Sequence, residues 1–329
     1  MSRPLFLLAA AVAVALAAPG AVSALTLGDK EVARVNSFGG SCVKCELSGR
    51  NMEGARIMGA NFSGAALVGA NLRNARFHAS NFAGADLSRA DLSDASMMGA
   101  VFTGANLSSA KLRATEATGV AFGSANLTRA DLSDAQATGA NFSKAVLSHA
   151  VLRSVEMHGG SFSDADLSRA NLSDASISGG NFARARLPGA VLRSAELNGA
   201  NFKFVDARGA DFRDSELVGA VLSHGQFAKA SFRGADLNAA VLVDGEFDGA
   251  DFRDADLSRT MIAGVDLSKV RGLTQDQLDQ ACGDSRTRLP PGLSVSKGCS
   301  GMRVIVHRKP AKPAPPAPPA PRYIVAIDP

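Results

Sequence analysis

Few residues in this chain have types and spacing that suggest chemistry. Cys42 and Cys45 form a C-x-x-C, the spacing used by thiol redox centres and by metal sites. A zinc site needs four ligands, and neither a second C-x-x-C nor a nearby histidine supplies the others, so no metal is expected. A thiol oxidoreductase would need a βαβ context, which the surrounding sequence lacks. The pair is therefore read as a structural disulfide or as two capping thiols. Whether the two bond to each other stays open, because so short a loop is strained. His78, His149, His158, His224 and His307 are scattered singly, and the many serines and aspartates occupy periodic positions rather than converging on a pocket. No catalytic constellation and no cofactor are expected, and the chain is read as a non-enzyme.

One charged column stands out. Arg73, Ser93, Arg113, Ser133, Arg153, Ser173, Arg193, Arg213, Arg233 and Arg253 recur at a fixed spacing, and a ladder of arginines is a means of holding a polyanion. Six of them have an acid three residues later: Glu116, Glu156, Glu196, Glu216, Asp236 and Asp256. Asp94, Asp134 and Asp174 add acids on the intervening units, one strand spacing of ~4.8 Å away. The expectation is a largely self-neutralised ladder of solvated ion pairs, each worth at most ~1 kcal/mol. Arg193, Arg213, Arg233 and Arg253 are kept as the candidate interaction face.

What positions these residues is a five-residue beat that runs without insertion from Leu47 to Leu267, giving 45 units of the form A-(N/D)-(L/F)-x-x. A period of five suits neither a strand, which alternates by two, nor a helix, where five steps turn the side chain by ~140°. It suits a solenoid, in which each unit buries its apolar side chain against its neighbours. Phe62, Phe82, Phe102, Phe122, Phe142, Phe162, Phe182 and Phe202 recur every twenty residues, so four units close one coil and the coil is four-sided. Each side is expected to place the small residue and the Leu or Phe inward, the Asn or Asp outward, and a turn at the last two positions. About eleven coils at ~4.8 Å would give a rod of ~54 Å.

Stretches such as ANFSGAALVGANLRNA and ADLSRADLSDA resemble the pentapeptide repeat proteins over about two thirds of the chain. The resemblance implies an all-β, right-handed quadrilateral β-helix; period and phenylalanine spacing independently give a four-sided coil but not its hand. Quinolone-resistance members of that family resemble duplex DNA in shape and strong negative charge, and bind DNA gyrase. Residues 41–270 here carry 23 Lys plus Arg against 25 Asp plus Glu, which does not fit that role. Nor is a nucleic-acid binder expected: the basic excess lies outside the repeats, and one Tyr with no Trp leaves little for base stacking.

The ends read differently. Residues 1–24 have a secretory signal pattern, with Arg3, an apolar run from Leu5 to Ala18 and Val22-Ser23-Ala24 before the cut. No later stretch could span a membrane, so the mature protein is expected to be periplasmic or secreted. Residues 25–41 are read as an N-terminal cap with a short helix opening at Asp29, and 42–270 as the β-helix. Residues 271–306 are read as a C-terminal cap, where Thr274 and Gln277 form a capping box for a helix through Leu278 and Ala281. LTQDQLDQACGDSRTRLPPGL followed by Cys299 resembles the ending of exported bacterial members of the family. In an oxidising compartment a Cys282–Cys299 bond is the economical reading, worth ~3 kcal/mol by loop entropy. Residues 307–329, with KPAKPAPPAPPAP, are read as a disordered Pro/Ala-rich spacer that favours polyproline II.

The resulting functional expectation is an exported structural or protein-interaction module presenting rigid faces to an unidentified cell-envelope partner, as a monomer or homodimer. Two alternatives are a thiol-redox protein centred on Cys42 and Cys45, and a binder of anionic polymers through the arginine column.

Overall fold

The computed structural model describes residues 40–295 and 298–299. The expected signal, nearly all of the N-terminal cap and the tail lie outside the described residues. Parallel bridges join each residue at the second repeat position to the one twenty residues later, from Ser41–Asn61 through Asp251–Arg271. Four such columns run up the molecule, and the coil is therefore four-sided with twenty residues per turn.

Every backbone donor in a consensus unit has a partner. Around Asn81 the pattern is complete: Asn81 N–H donates to Ala60 (2.8 Å), Phe82 N–H to Val101 (2.7 Å), Gly84 N–H to Thr103 (3.0 Å) and Ala85 N–H to Phe82 (3.0 Å). The fifth donor, Ala83 N–H, is taken by the Asn81 side-chain oxygen at 2.9 Å. The consensus Asn or Asp is thus an Asx cap on the turn, and its type is fixed by the one N–H that the ladder cannot reach. The last residue of the unit has positive φ, as at Gly84 (64°) and Asp94 (61°). A positive φ at the second central residue alone, with the Ala85-to-Phe82 bond closing the four residues, is a type II turn.

The interior is dry and full. From Ile57 on, the small and the large residue of each unit are buried, for instance Ala85 and Leu87. Phe62 to Phe202 stack as one ladder, with centroids 4.7–5.3 Å apart. Above Phe202 the aromatic stack changes sides. Phe212 meets Phe202 edge-on at 5.8 Å, and Phe212–Phe232–Phe252 and Phe227–Phe247 form two new ladders on other sides of the coil. The coil interior is closed above by α1, Gln275–Gln280, with Thr274 and Gln277 in a reciprocal capping box and Leu278 buried. Gln277 also donates to the carbonyls of Phe252 (2.9 Å) and Ala255 (2.8 Å), which ties the helix to the last coil.

Candidate functional site on the outer faces

With the interior filled, only outward positions and turn residues can meet a ligand. Buried hydroxyls that replace the small residue are all used internally. Ser80 donates to Ile57, Thr115 to Leu112, Ser215 to Phe212 and Thr260 to Leu237. Among the described residues no buried side-chain polar atom lacks a partner.

The arginine column is engaged, but not with the acids three residues on. Arg73 pairs with Asp94 (3.3 Å), Arg113 with Asp131 and Asp134 (3.6 and 3.3 Å) and Arg153 with Asp174 (3.4 Å). Arg193 and Arg213 share Asp211 (2.5 and 2.8 Å), Arg233 reaches Asp254 (3.4 Å), and Arg253 folds onto Asp251 (2.5 Å). The expected three-residue pairing therefore fails, and the turn is the reason. Three residues on lies past a corner and faces out from the next side, whereas twenty-one residues on is the same corner one coil higher. The supporting acids Asp94, Asp134 and Asp174 are the partners actually used.

The acids left over form their own line. Glu116, Glu156, Glu196, Glu216, Asp236 and Asp256 share one outer face, and among the described residues none of them forms an ion pair. Their contacts are weaker ones, such as Ser176 Oγ donating to Glu196 (2.8 Å) and Asn198 Nδ2 to Glu216 (2.9 Å).

Electrostatics sharpens where a carboxylate and arginine are geometrically locked. The Arg253 guanidinium bonded to Asp251 holds that carboxyl below the usual range against its burial, and Arg208 does the same for Asp206. Among the described residues Asp251 is the one buried carboxylate, at 4% exposure.

The cysteines lie at the two ends. Cys42 and Cys45 are bonded to each other at the first described coil, and Cys282 is bonded to Cys299 where the chain leaves α1. Among the described residues no cysteine is free, and no group of His, Cys, Asp and Glu could hold a metal ion. Of the histidines, His78 Nε2 lies 2.7 Å from Ser96 Oγ, a nucleophile-and-base contact that the sequence spacing of eighteen had hidden. Among the described residues no carboxylate bonds the other ring nitrogen to orient it, so the triad logic is incomplete. His224 stacks on Phe204 (4.8 Å, 7°) and lies 3.6 Å from Asp244. Phe204 occupies the positive-φ turn position (60°), an uncommon conformation for so bulky a side chain.

The family model for pentapeptide repeats matches in overlapping stretches from residue 41 to residue 268. The chain belongs to the pentapeptide repeat family. Membership carries the right-handed quadrilateral β-helix, and such proteins are in general interaction modules. Similar solved structures include HetL of the cyanobacterium Nostoc, a pentapeptide repeat protein involved in heterocyst differentiation regulation. It is 29% identical, covering 64% of this chain and 88% of its own, with a TM-score of 0.22. A pentapeptide repeat protein of the Arabidopsis thaliana thylakoid lumen is 25% identical over 38% of this chain and 73% of its own, with a TM-score of 0.23. The plasmid-mediated fluoroquinolone resistance protein QnrB1 is 20% identical over 76% of this chain and 94% of its own, with a TM-score of 0.22. With TM-scores this low, membership rests on the repeat match alone. No curated protein matches the chain. Among the described residues of this pentapeptide repeat protein, no helix is long and apolar enough to cross a membrane.

Proposed function

We infer that this pentapeptide repeat protein is a non-enzymatic, exported module that presents rigid outer faces to a protein partner in the cell envelope. The observation that carries the reading is the contrast between inside and outside. Among the described residues the interior repeats Ala, Leu and Phe with every buried polar side-chain atom bonded, while outward and turn positions vary from coil to coil. A surface that varies on an invariant scaffold is where recognition can reside.

Export is supported by the signal pattern of residues 1–24 and by two disulfides, which persist in oxidising compartments. The check is the mature N-terminus: a chain starting at Leu25 in the periplasmic or secreted fraction is expected, and an intact Met1 chain in the cytoplasm overturns export. The partner is sought by in-cell cross-linking and mass spectrometry, beside a chain ending at Val306. A partner lost on truncation places recognition in the tail, and one kept places it on a coil face. Turnover of a substrate by the purified protein, abolished by one point mutation, would sink the non-enzymatic reading. Light scattering decides between monomer and homodimer.

A further inference from the structure

Between coils in the C-terminal half, the outer surface is interrupted by a depression of about 300 Å³. Ser231 lines it and stands in the outward column between Asp211 and Asp251. A serine here is short where its two neighbours in the column carry carboxylates, which leaves room beside it. The Ser231 hydroxyl bonds no described group, so it is free to donate.

The walls are cationic: Arg213, Lys229, Arg233, Arg253 and Arg271 face two carboxylates, Asp211 and Asp251. Those two carboxylates are already occupied. Asp211 accepts from Arg193 and Arg213, and Asp251 accepts both Nε and a terminal nitrogen of Arg253. Lys229 and Arg271 form no ion pair among the described residues, and Arg233 holds only a single 3.4 Å contact to exposed Asp254. Lys111 shows the contrast: in the same column as Ser231 it finds Asp91 at 3.3 Å on the adjacent coil. The surplus follows from the sequence rhythm. Up to Arg193 the column alternates Arg with Ser, so each arginine reaches past a short side chain to an acid; from Arg193 on every coil carries an arginine.

We propose that this depression binds a tetrahedral oxyanion, a phosphate or sulfate group. Lys229, Arg233 and Arg271 supply the charge, and Ser231 supplies a hydroxyl donor. Guanidinium groups with unused donors and a lysine point charge suit such a group, and the volume is at the small end of ligand pockets. The inference does not depend on a protein partner, and it differs from a polymer grip along the whole column because it needs the gap at one residue.

The test is titration of the folded protein with inorganic phosphate at low salt, read by 31P NMR line width, with chloride at matched ionic strength as the reference. Ser231→Asp fills the gap with the carboxylate that the flanking coils already carry, so the fold is kept. Phosphate affinity is expected to fall at least tenfold with an unchanged melting temperature. Lys229→Asn, at an exposed positive-φ turn position that asparagine tolerates, is a second variant and is expected to weaken binding several-fold. Long-chain polyphosphate distinguishes the source: tighter binding per phosphate, lost in Arg193→Ser, marks a polymer-borne group, and equal binding per phosphate marks a small ligand. Phosphate binding as strong in both variants as in the parent, or no preference for phosphate over chloride, overturns the proposal.

Discussion

Replacing Phe142 with alanine tests whether the interior is load-sharing packing with no room for a ligand. The ring is fully buried and lies between Phe122 at 4.7 Å and Phe162 at 5.2 Å, both nearly parallel to it. Truncation of a buried phenylalanine costs about 3–5 kcal/mol, and the two lost stacking contacts account for roughly 0.5–1.5 kcal/mol each of that. Leucine already fills the corresponding position on other sides of the coil, as at Leu147 and Leu152. Phe142→Leu should therefore cost about 1–2 kcal/mol, a shape change with little cavity. Urea unfolding of the two variants gives both numbers. The alanine variant should also gain an enclosed apolar hole, which stays dry and accepts benzene, so benzene should raise its melting temperature and leave the parent unchanged. A cost below ~1 kcal/mol for Phe142→Ala, or equal stabilisation of the parent by benzene, refutes a close-packed interior.

Three further outcomes are expected. Glu216→Gln relieves a like-charge column between Glu196 and Asp236 and should stabilise by roughly 0.2–1 kcal/mol at low salt, shrinking as salt is added; urea midpoints at two ionic strengths check this. Asp251 and Asp206 have folded pKa values held below the ordinary carboxylate value, chiefly by Arg253 and Arg208. Their contribution is thus complete above about pH 4 and lost as pH falls through the lower folded values; Asp251→Asn should flatten that acid limb of a stability-versus-pH curve. Cys299→Ser opens a link spanning 17 residues of sequence and should cost about 3 kcal/mol, with hydrogen exchange rising first in α1 and the last coil.

Much of this architecture is legible in the chain because period alone sets it. Five residues per unit and phenylalanines every twenty define a coil of four sides, and the bridges keep that spacing. Thr274 and Gln277 announce α1 locally, since a capping box needs nothing beyond its own four residues. The second set of aromatic ladders is also present in the spacing of Phe212, Phe232 and Phe252, and of Phe227 and Phe247. Of the ion pairs, the acids one coil on (Asp94, Asp134, Asp174) were legible from the period, while the three-residue pairing misled. Arg113 and Glu116 are close in sequence yet divided by a corner, while Asp134 is twenty-one residues away and adjacent. The same limit hid the His78–Ser96 contact and the depression at Ser231, which exist only between coils.

The inner and outer changes of pattern fall together. The single phenylalanine ladder ends at Phe202 and passes edge-on to Phe212, just where the arginine column passes from every second coil to every coil at Arg193 and Arg213. In a solenoid each coil touches only its neighbours, so a change of core register need be matched at one junction and the coils beyond it are free to carry a different surface. Those later coils hold the Phe204–His224 stack, the Ser231 depression, the last three acids of the unpaired line and the α1 cap. The coils before the junction keep regular Asx caps and arginines that reach their acids across a serine. Both the Phe204 turn, with an aromatic side chain at positive φ, and the arginine on every coil come after that junction, so the C-terminal coils are the ones whose outer surface departs from the regular pattern.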